Sequence, residues 1–229
     1  MMKLSDLPVV NRRLKRHYEK RKAPIVDLVK AQTADPFKIL VATILSARTR
    51  DEMTAQVVRR LFKAVETPAD LERLTSRQIE KLIFPIGFYR TKAKHLKQLP
   101  ATLQAEFKGR IPADIDALCR LPGVGRKTAN LVLAQAFDKP AICVDVHVHR
   151  ISNRLGLVRT KNPFETEMAL RKTLPKRYWK TWNSYLVSYG QTVCLPRNPR
   201  CALCLITSFC PRIGVVSTCA DRKPVSPKK

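Results

Sequence analysis

Apolar residues in this chain recur at helical spacing, in runs separated by short stops. Behind Asp35 and Pro36, a capping residue followed by a first-turn proline, Phe37, Leu40, Val41, Ile44 and Leu45 fall on one helix face. Thr67 and Pro68 repeat the signal ahead of Leu71 and Leu74. Thr75 with Gln78 has the pattern of a capping box before Ile79, Leu82 and Ile83. Gly87, Gly109, Gly156 and Gly190 are expected at helix ends or joints, and no pair of alternating runs is joined by a hairpin signal. The pattern therefore predicts an all-α fold. Because the connections between 36 and 137 are short, that block is expected to close as a bundle of six or so helices.

Charge narrows the function. The chain has 229 residues with 44 Lys and Arg against 18 Asp and Glu, a formal charge of +26, and a pI near 10.3. Such an imbalance points to a polyanionic partner and away from small-metabolite chemistry. At 45% hydrophobic residues the chain is too apolar for a disordered basic protein. No apolar run approaches the roughly 18 residues of a membrane span. The first residues, which include Asp6 and a mixed basic stretch, lack the clean apolar core of an export signal. Seven cysteines, an odd number, suit a reducing compartment. The expected location is cytoplasmic, of prokaryotic type and associated with the nucleoid. The basic stretch after Cys210 reads as a mobile arm.

The most informative local string runs from Leu121 to Asn130, LPGVGRKTAN, between a short helix over 115–120 and an apolar helix through Leu131, Val132, Leu133 and Phe137. Two glycines one residue apart let the backbone turn sharply and expose N–H groups at a helix start, which makes a phosphate seat. A nucleotide-binding loop would follow a strand, and this one follows a helix. The reading is a hairpin that grips a nucleic-acid backbone through Gly123, Val124, Gly125 and Arg126. Lys127 stands on the first turn of the second helix. Asp145, in the segment CVDVH, precedes the apolar positions Val148, Ile151 and Leu155, where it is placed to cap a helix. Taken singly, Lys127 reads as a phosphate clamp and Asp145 as a cap. Together they are a candidate nucleophile and a candidate anion.

Cys194, Cys201, Cys204 and Cys210 are spaced C-x6-C-x2-C-x5-C. Thiolates at this density suit zinc or an iron–sulfur cluster, and one close pair flanked by two isolated cysteines mildly favours the cluster. Arg197, Pro199 and Arg200 between them form a rigid basic loop able to touch phosphate. Cys119, Cys143 and Cys219 are expected to be small apolar fillers or tail residues, and the four histidines form no ligand pattern.

The hairpin, the VDVHVHR segment and the cysteine loop, in this order and spacing, resemble the helix-hairpin-helix DNA glycosylases of the endonuclease III type over about residues 30–212. The resemblance implies a two-domain fold: a six-helix barrel with the hairpin over 30–138, and a cluster domain built from 1–29 and 139–213, followed by the tail 214–229. It implies Lys127 as the nucleophile, Asp145 as the catalytic aspartate, and the four cysteines as ligands of a [4Fe-4S] cluster. Arg48 stands where bacterial relatives often have a glutamine that fills the gap left by a flipped nucleotide, and Phe88 where they have an aliphatic wedge. Val146 replaces a frequent threonine. The implied activity is base excision repair: a DNA glycosylase with AP lyase activity removes oxidised pyrimidines from double-stranded DNA and cuts abasic strands by β-elimination. The implied state is a monomer with no membrane partner. Two alternatives share the motifs: a monofunctional mismatch or adenine glycosylase, which would lack the lysine nucleophile, and a non-catalytic hairpin DNA-binding protein with a structural metal, which would not need Asp145.

Overall fold

Capping residues and first-turn prolines open the helices where the sequence places them. In the computed structural model the described residues are 2–20, 29, 33 and 35–215. The expected arm over 214–229 lies outside them from 216 onward, as does Cys219. Eleven α-helices occur among the described residues: α1 (Leu7–Glu19), α2 (Pro36–Ser46), α3 (Asp51–Leu61), α4 (Pro68–Arg73), α5 (Ser76–Ile83), α6 (Tyr89–Phe107), α7 (Ile115–Cys119), α8 (Arg126–Ala136), α9 (Val146–Arg154), α10 (Pro163–Thr173) and α11 (Trp179–Thr192). No strand is found among these residues, and the fold is all-α. None of the described helices is long and apolar enough to cross a membrane.

The caps are those the sequence signals. Asp35 accepts the Phe37 N–H at 2.9 Å. The Thr67 N–H donates to Asp70 at 2.9 Å, and the Thr75 N–H donates to Gln78 Oε1 at 2.8 Å, so α4 and α5 both start with capping boxes.

The chain divides into two compact units, Ala23–Ala141 and Met1–Lys22 with Ile142–Lys229. In the first, α2 is buried almost all round, from Phe37 to Leu45, and packs against α8, α3 and α6. A helix apolar on every face belongs at the centre of its unit. Leu96, Leu99, Val132 and Leu118 close on it from the surrounding helices. In the second unit, α11 is central, with α1 and α9 against it and α10 against α9. Its core holds Leu7, Val10, Leu14, Val148, Ile151, Trp182, Leu186 and Tyr189. After α11 the described residues hold two short 3-10 turns, Cys201–Leu203 and Thr207–Phe209.

Candidate active site and nucleic-acid interface

The hairpin consists of α7, a tight turn and α8. The Leu121 N–H donates to Leu118 O, and the Val124 N–H to Leu121 O, both at 3.1 Å. Gly123 sits at φ +76°, and a Cβ there would come within 2.6 Å of His95 Nδ1, so backbone and packing both require glycine. The Val124 N–H, counted above among the phosphate donors, instead closes the turn, and its side chain is buried in the core. Gly125 is a different case from Gly123. Its backbone is extended, and a Cβ would meet nothing within 4 Å, so neither strain nor neighbours within the chain demand a glycine. Arg126 is half-buried and Lys127 exposed on the first turn that follows. The Arg126 carbonyl accepts from Asn130 Nδ2 at 3.1 Å.

In the same unit Arg48 and Phe88 both adopt left-handed backbones, with φ of 54° and 59°. Both are exposed, Phe88 at 61%. The Arg48 guanidinium carbon lies 5.3 Å from the Phe88 ring centroid, a cation–π distance. Sequence reasoning missed their neighbour Lys92. It is only 6% exposed, and its Nζ donates to Leu45 O (2.8 Å), Ala47 O (2.6 Å) and Thr49 Oγ1 (3.2 Å). Burial pushes this ammonium down to about 8. A lone lysine inside an amphipathic helix carries no distinguishing signal. Its offset from Phe88, one helical turn, was the available hint.

In the other unit Asp145 heads α9, and its Oδ1 accepts from the His147 and Val148 N–H groups, both at 2.9 Å. The residue before the preceding Val144, Cys143, is buried as expected, and its carbonyl accepts from Asn183 Nδ2 on α11 at 3.2 Å. Cys119 is exposed, contrary to its expected role as a filler. It ends the short α7. Gly190 lies near a helix end, as expected. It sits in the last turn of α11, where a Cβ would come 2.4 Å from His147 Nδ1.

The four sequence-predicted thiols line one pocket, with Val193, Pro199, Arg200 and Thr207. Arg197 lines an adjoining pocket with Asn198 and Pro196. Two arginines of α9 reach the cysteine loop. Arg154 donates to Cys194 Sγ (3.2 Å), Leu195 O (2.7 Å) and Pro196 O (2.8 Å). Arg150 donates to Gly190 O (3.2 Å) and Cys194 O (2.8 Å). Tyr189 Oη donates to Cys204 Sγ at 3.2 Å, and burial pushes the Cys210 thiol up. Lys127 and Asp145 belong to different units.

The family described as HhH-GPD superfamily base excision DNA repair protein matches residues 41–176. Endonuclease III of Thermotoga maritima is 46% identical over 176 residues, spanning 77% of this chain and 83% of that protein. A solved non-covalent complex of endonuclease III with DNA superposes with a TM-score of 0.81 at 34% identity, covering 93% of this chain and 97% of its counterpart. A trapped covalent endonuclease III–DNA intermediate matches with the same score, identity and coverage. With the glycine hairpin, the lysine that follows it and the aspartate-headed helix in place, the chain belongs to the HhH-GPD superfamily of base excision DNA repair proteins and, within it, to the endonuclease III family of DNA glycosylase/AP lyases.

Proposed function

We propose that this chain, acting as a monomer, releases oxidised pyrimidines from duplex DNA and cleaves the resulting abasic strand through a Schiff base on Lys127. The observation that carries this reading is the start of α8: a helix headed by a bare glycine, with an exposed primary amine on its first turn. A helix start leaves N–H groups to be satisfied from outside and favours an anion. The open space over Gly125 is what the close approach of a phosphate needs. Gly123, Gly125 and Arg126 hold the strand there, and Arg197 and Arg200 add charge from the cysteine loop. Val124 supports the seat by closing the turn.

The target carbon is shielded inside the duplex, so the nucleotide must be extruded. Phe88 and Arg48 occupy the vacated stack, as exposed wedges do in bent DNA. Positive charge grows on the sugar as the base departs, and the Asp145 carboxylate stabilises it. The Lys127 amine attacks C1′ and gives up a proton, so that a C–N bond to Lys127 forms while the bond to the base breaks; the C1′–O4′ bond then opens, leaving a protonated imine at C1′ and a hydroxyl at C4′. Loss of the C2′ proton then expels the 3′ phosphate oxygen, and hydrolysis of the imine frees the lysine.

The cysteine loop fits a [4Fe-4S] cluster held by Cys194, Cys201, Cys204 and Cys210. The donor set is all sulfur and shares one pocket. Its spacing, one close pair flanked by two isolated cysteines, suits an iron–sulfur cluster better than the two short-spaced pairs usual for zinc. When bound, the cluster ties four points of an irregular segment together, and no bond of the reaction is made on it.

Borohydride reduction on an abasic duplex tests the reading. The protein should be trapped covalently and Lys127→Gln should not; trapping by Lys127→Gln would assign the nucleophile elsewhere. Elemental analysis should find iron, and stoichiometric zinc without iron would remove the cluster.

A further inference from the structure

The exposed pair Arg48 and Phe88 poses a physical problem. Both residues hold left-handed backbones, which a non-glycine residue keeps only where its surroundings over-determine it. The surroundings in question are one turn of α6. Helix α2 ends at Ser46, and the carbonyls of its last turn lack partners within the helix. Lys92 Nζ takes two carbonyls at that end, Leu45 O and Ala47 O, and the Thr49 hydroxyl just past Arg48, so all three of its N–H donors are used. A cation at a helix C-terminus is electrostatically favoured. The backbone N–H of the same residue donates to Phe88 O at 3.0 Å, closing the first turn of α6. Gly87 completes the contact from the other side. A Cβ there would lie 2.8 Å from Arg48 O, so the two backbones run directly against each other.

We propose that Lys92 is a positioning residue that locks the Arg48 loop and Phe88 into one rigid intercalating unit. Its side chain holds residues 45–49 and its backbone holds Phe88, so the two wedges are set relative to each other before DNA arrives. The proposal rests on the reading that Arg48 and Phe88 enter the duplex. A lysine acting only as a helix cap would support the fold, and its loss would affect every substrate alike.

The test compares two substrates in single-turnover assays: a duplex with a paired oxidised pyrimidine, which requires extrusion, and a duplex with a preformed abasic site, which has no base to unstack. Lys92→Met keeps the aliphatic stem and removes the donors. Excision from the paired duplex should fall by on the order of 10–100-fold, the size of a sub-ångström to ångström misplacement, while abasic cleavage stays within about 3-fold. Fluorescence of 2-aminopurine beside the lesion should show slower unstacking. Thr49→Val removes one of the three acceptors and should shift the same ratio in the same direction by a smaller factor; it decides the matter if Lys92→Met does not fold. Arg48→Ala and Phe88→Ala are measured alongside. If they separate the two substrates and neither Lys92→Met nor Thr49→Val does, the positioning role is overturned and the wedge reading stands. If they do not separate them, the wedge reading fails and this inference with it. Equal loss on both substrates in folded Lys92→Met would reduce Lys92 to a structural cap.

Discussion

Helices α8 and α9 begin in opposite ways. α9 supplies its own anion: the Asp145 carboxylate accepts from two N–H groups of the first turn. α8 supplies none. Its cap is Gly125, with open space where a side chain would be. Both starts carry the same partial positive charge, so the difference lies in which anion answers it. In one case the anion is part of the protein; in the other the start is left open, and the proposed function seats a DNA phosphate there. A helix N-terminus is thus a fixed electrostatic resource that a single residue either uses or leaves open.

The strongest way to break this comparison is to keep the cap of α9 and remove its charge. Asparagine caps about as well as aspartate, so Asp145→Asn should melt close to the unaltered protein. Its single-turnover excision should nonetheless fall by about 10²–10³, the loss associated with one preorganised group at a developing charge. Near-normal excision would leave Asp145 as a cap and nothing more. The complementary change gives α8 a cap of its own. Gly125→Asp should raise stability by about a few tenths of a kcal/mol while weakening DNA binding by roughly 10–100-fold, the worth of a charge-assisted contact replaced by a like charge. Binding isotherms at two salt concentrations check it, and unchanged affinity would mean that no phosphate sits there.

A smaller effect separates the two hairpin glycines. Gly123→Ala should cost about 1–2 kcal/mol from its left-handed backbone, plus whatever His95 must yield, and should appear in thermal melts. Gly125→Ala should leave the melt almost unchanged and act on DNA binding. A pH-dependent effect concerns Lys92, whose folded value of about 8 lies below the ordinary 10.5. Between those values the unfolded chain binds more protons than the folded one, so this group's contribution to stability rises with pH across that window. Below pH 8 the penalty for burying the ammonium is complete, and above 10.5 it is gone. The stability of the unaltered protein relative to Lys92→Met should therefore increase from pH 8 to 10.5, and parallel pH curves would contradict the burial of a charged lysine.

Much of the site could be read without coordinates where its chemistry is local. Asp35, Thr67 and Thr75 cap the helices their side chains can reach within three residues, and Asp145 does the same. The cysteines announced themselves by density. Val124 did not: its N–H looked available in the string LPGVG, and only the closed turn engages it with Leu121. Gly190 was legible as a helix-end glycine, but not as a point of close approach, because His147 lies against it only in the fold. Lys92, Arg150 and Arg154 were illegible for the same reason. Most of their acceptors are carbonyls, with one hydroxyl and one thiol, 40 or more residues away in the chain, and a carbonyl has no letter of its own in a sequence.

The sequence by itself determined the helices, their caps, the polyanionic partner and the residue types at the chemical centres, since all of these depend on neighbours within a turn or on composition. Tertiary structure decided which backbone groups remain available to a ligand and which side chains hold the reactive ones in place. Those outcomes depend on main-chain donors and acceptors that every residue carries, and only the packed chain settles which of them find a partner inside the protein.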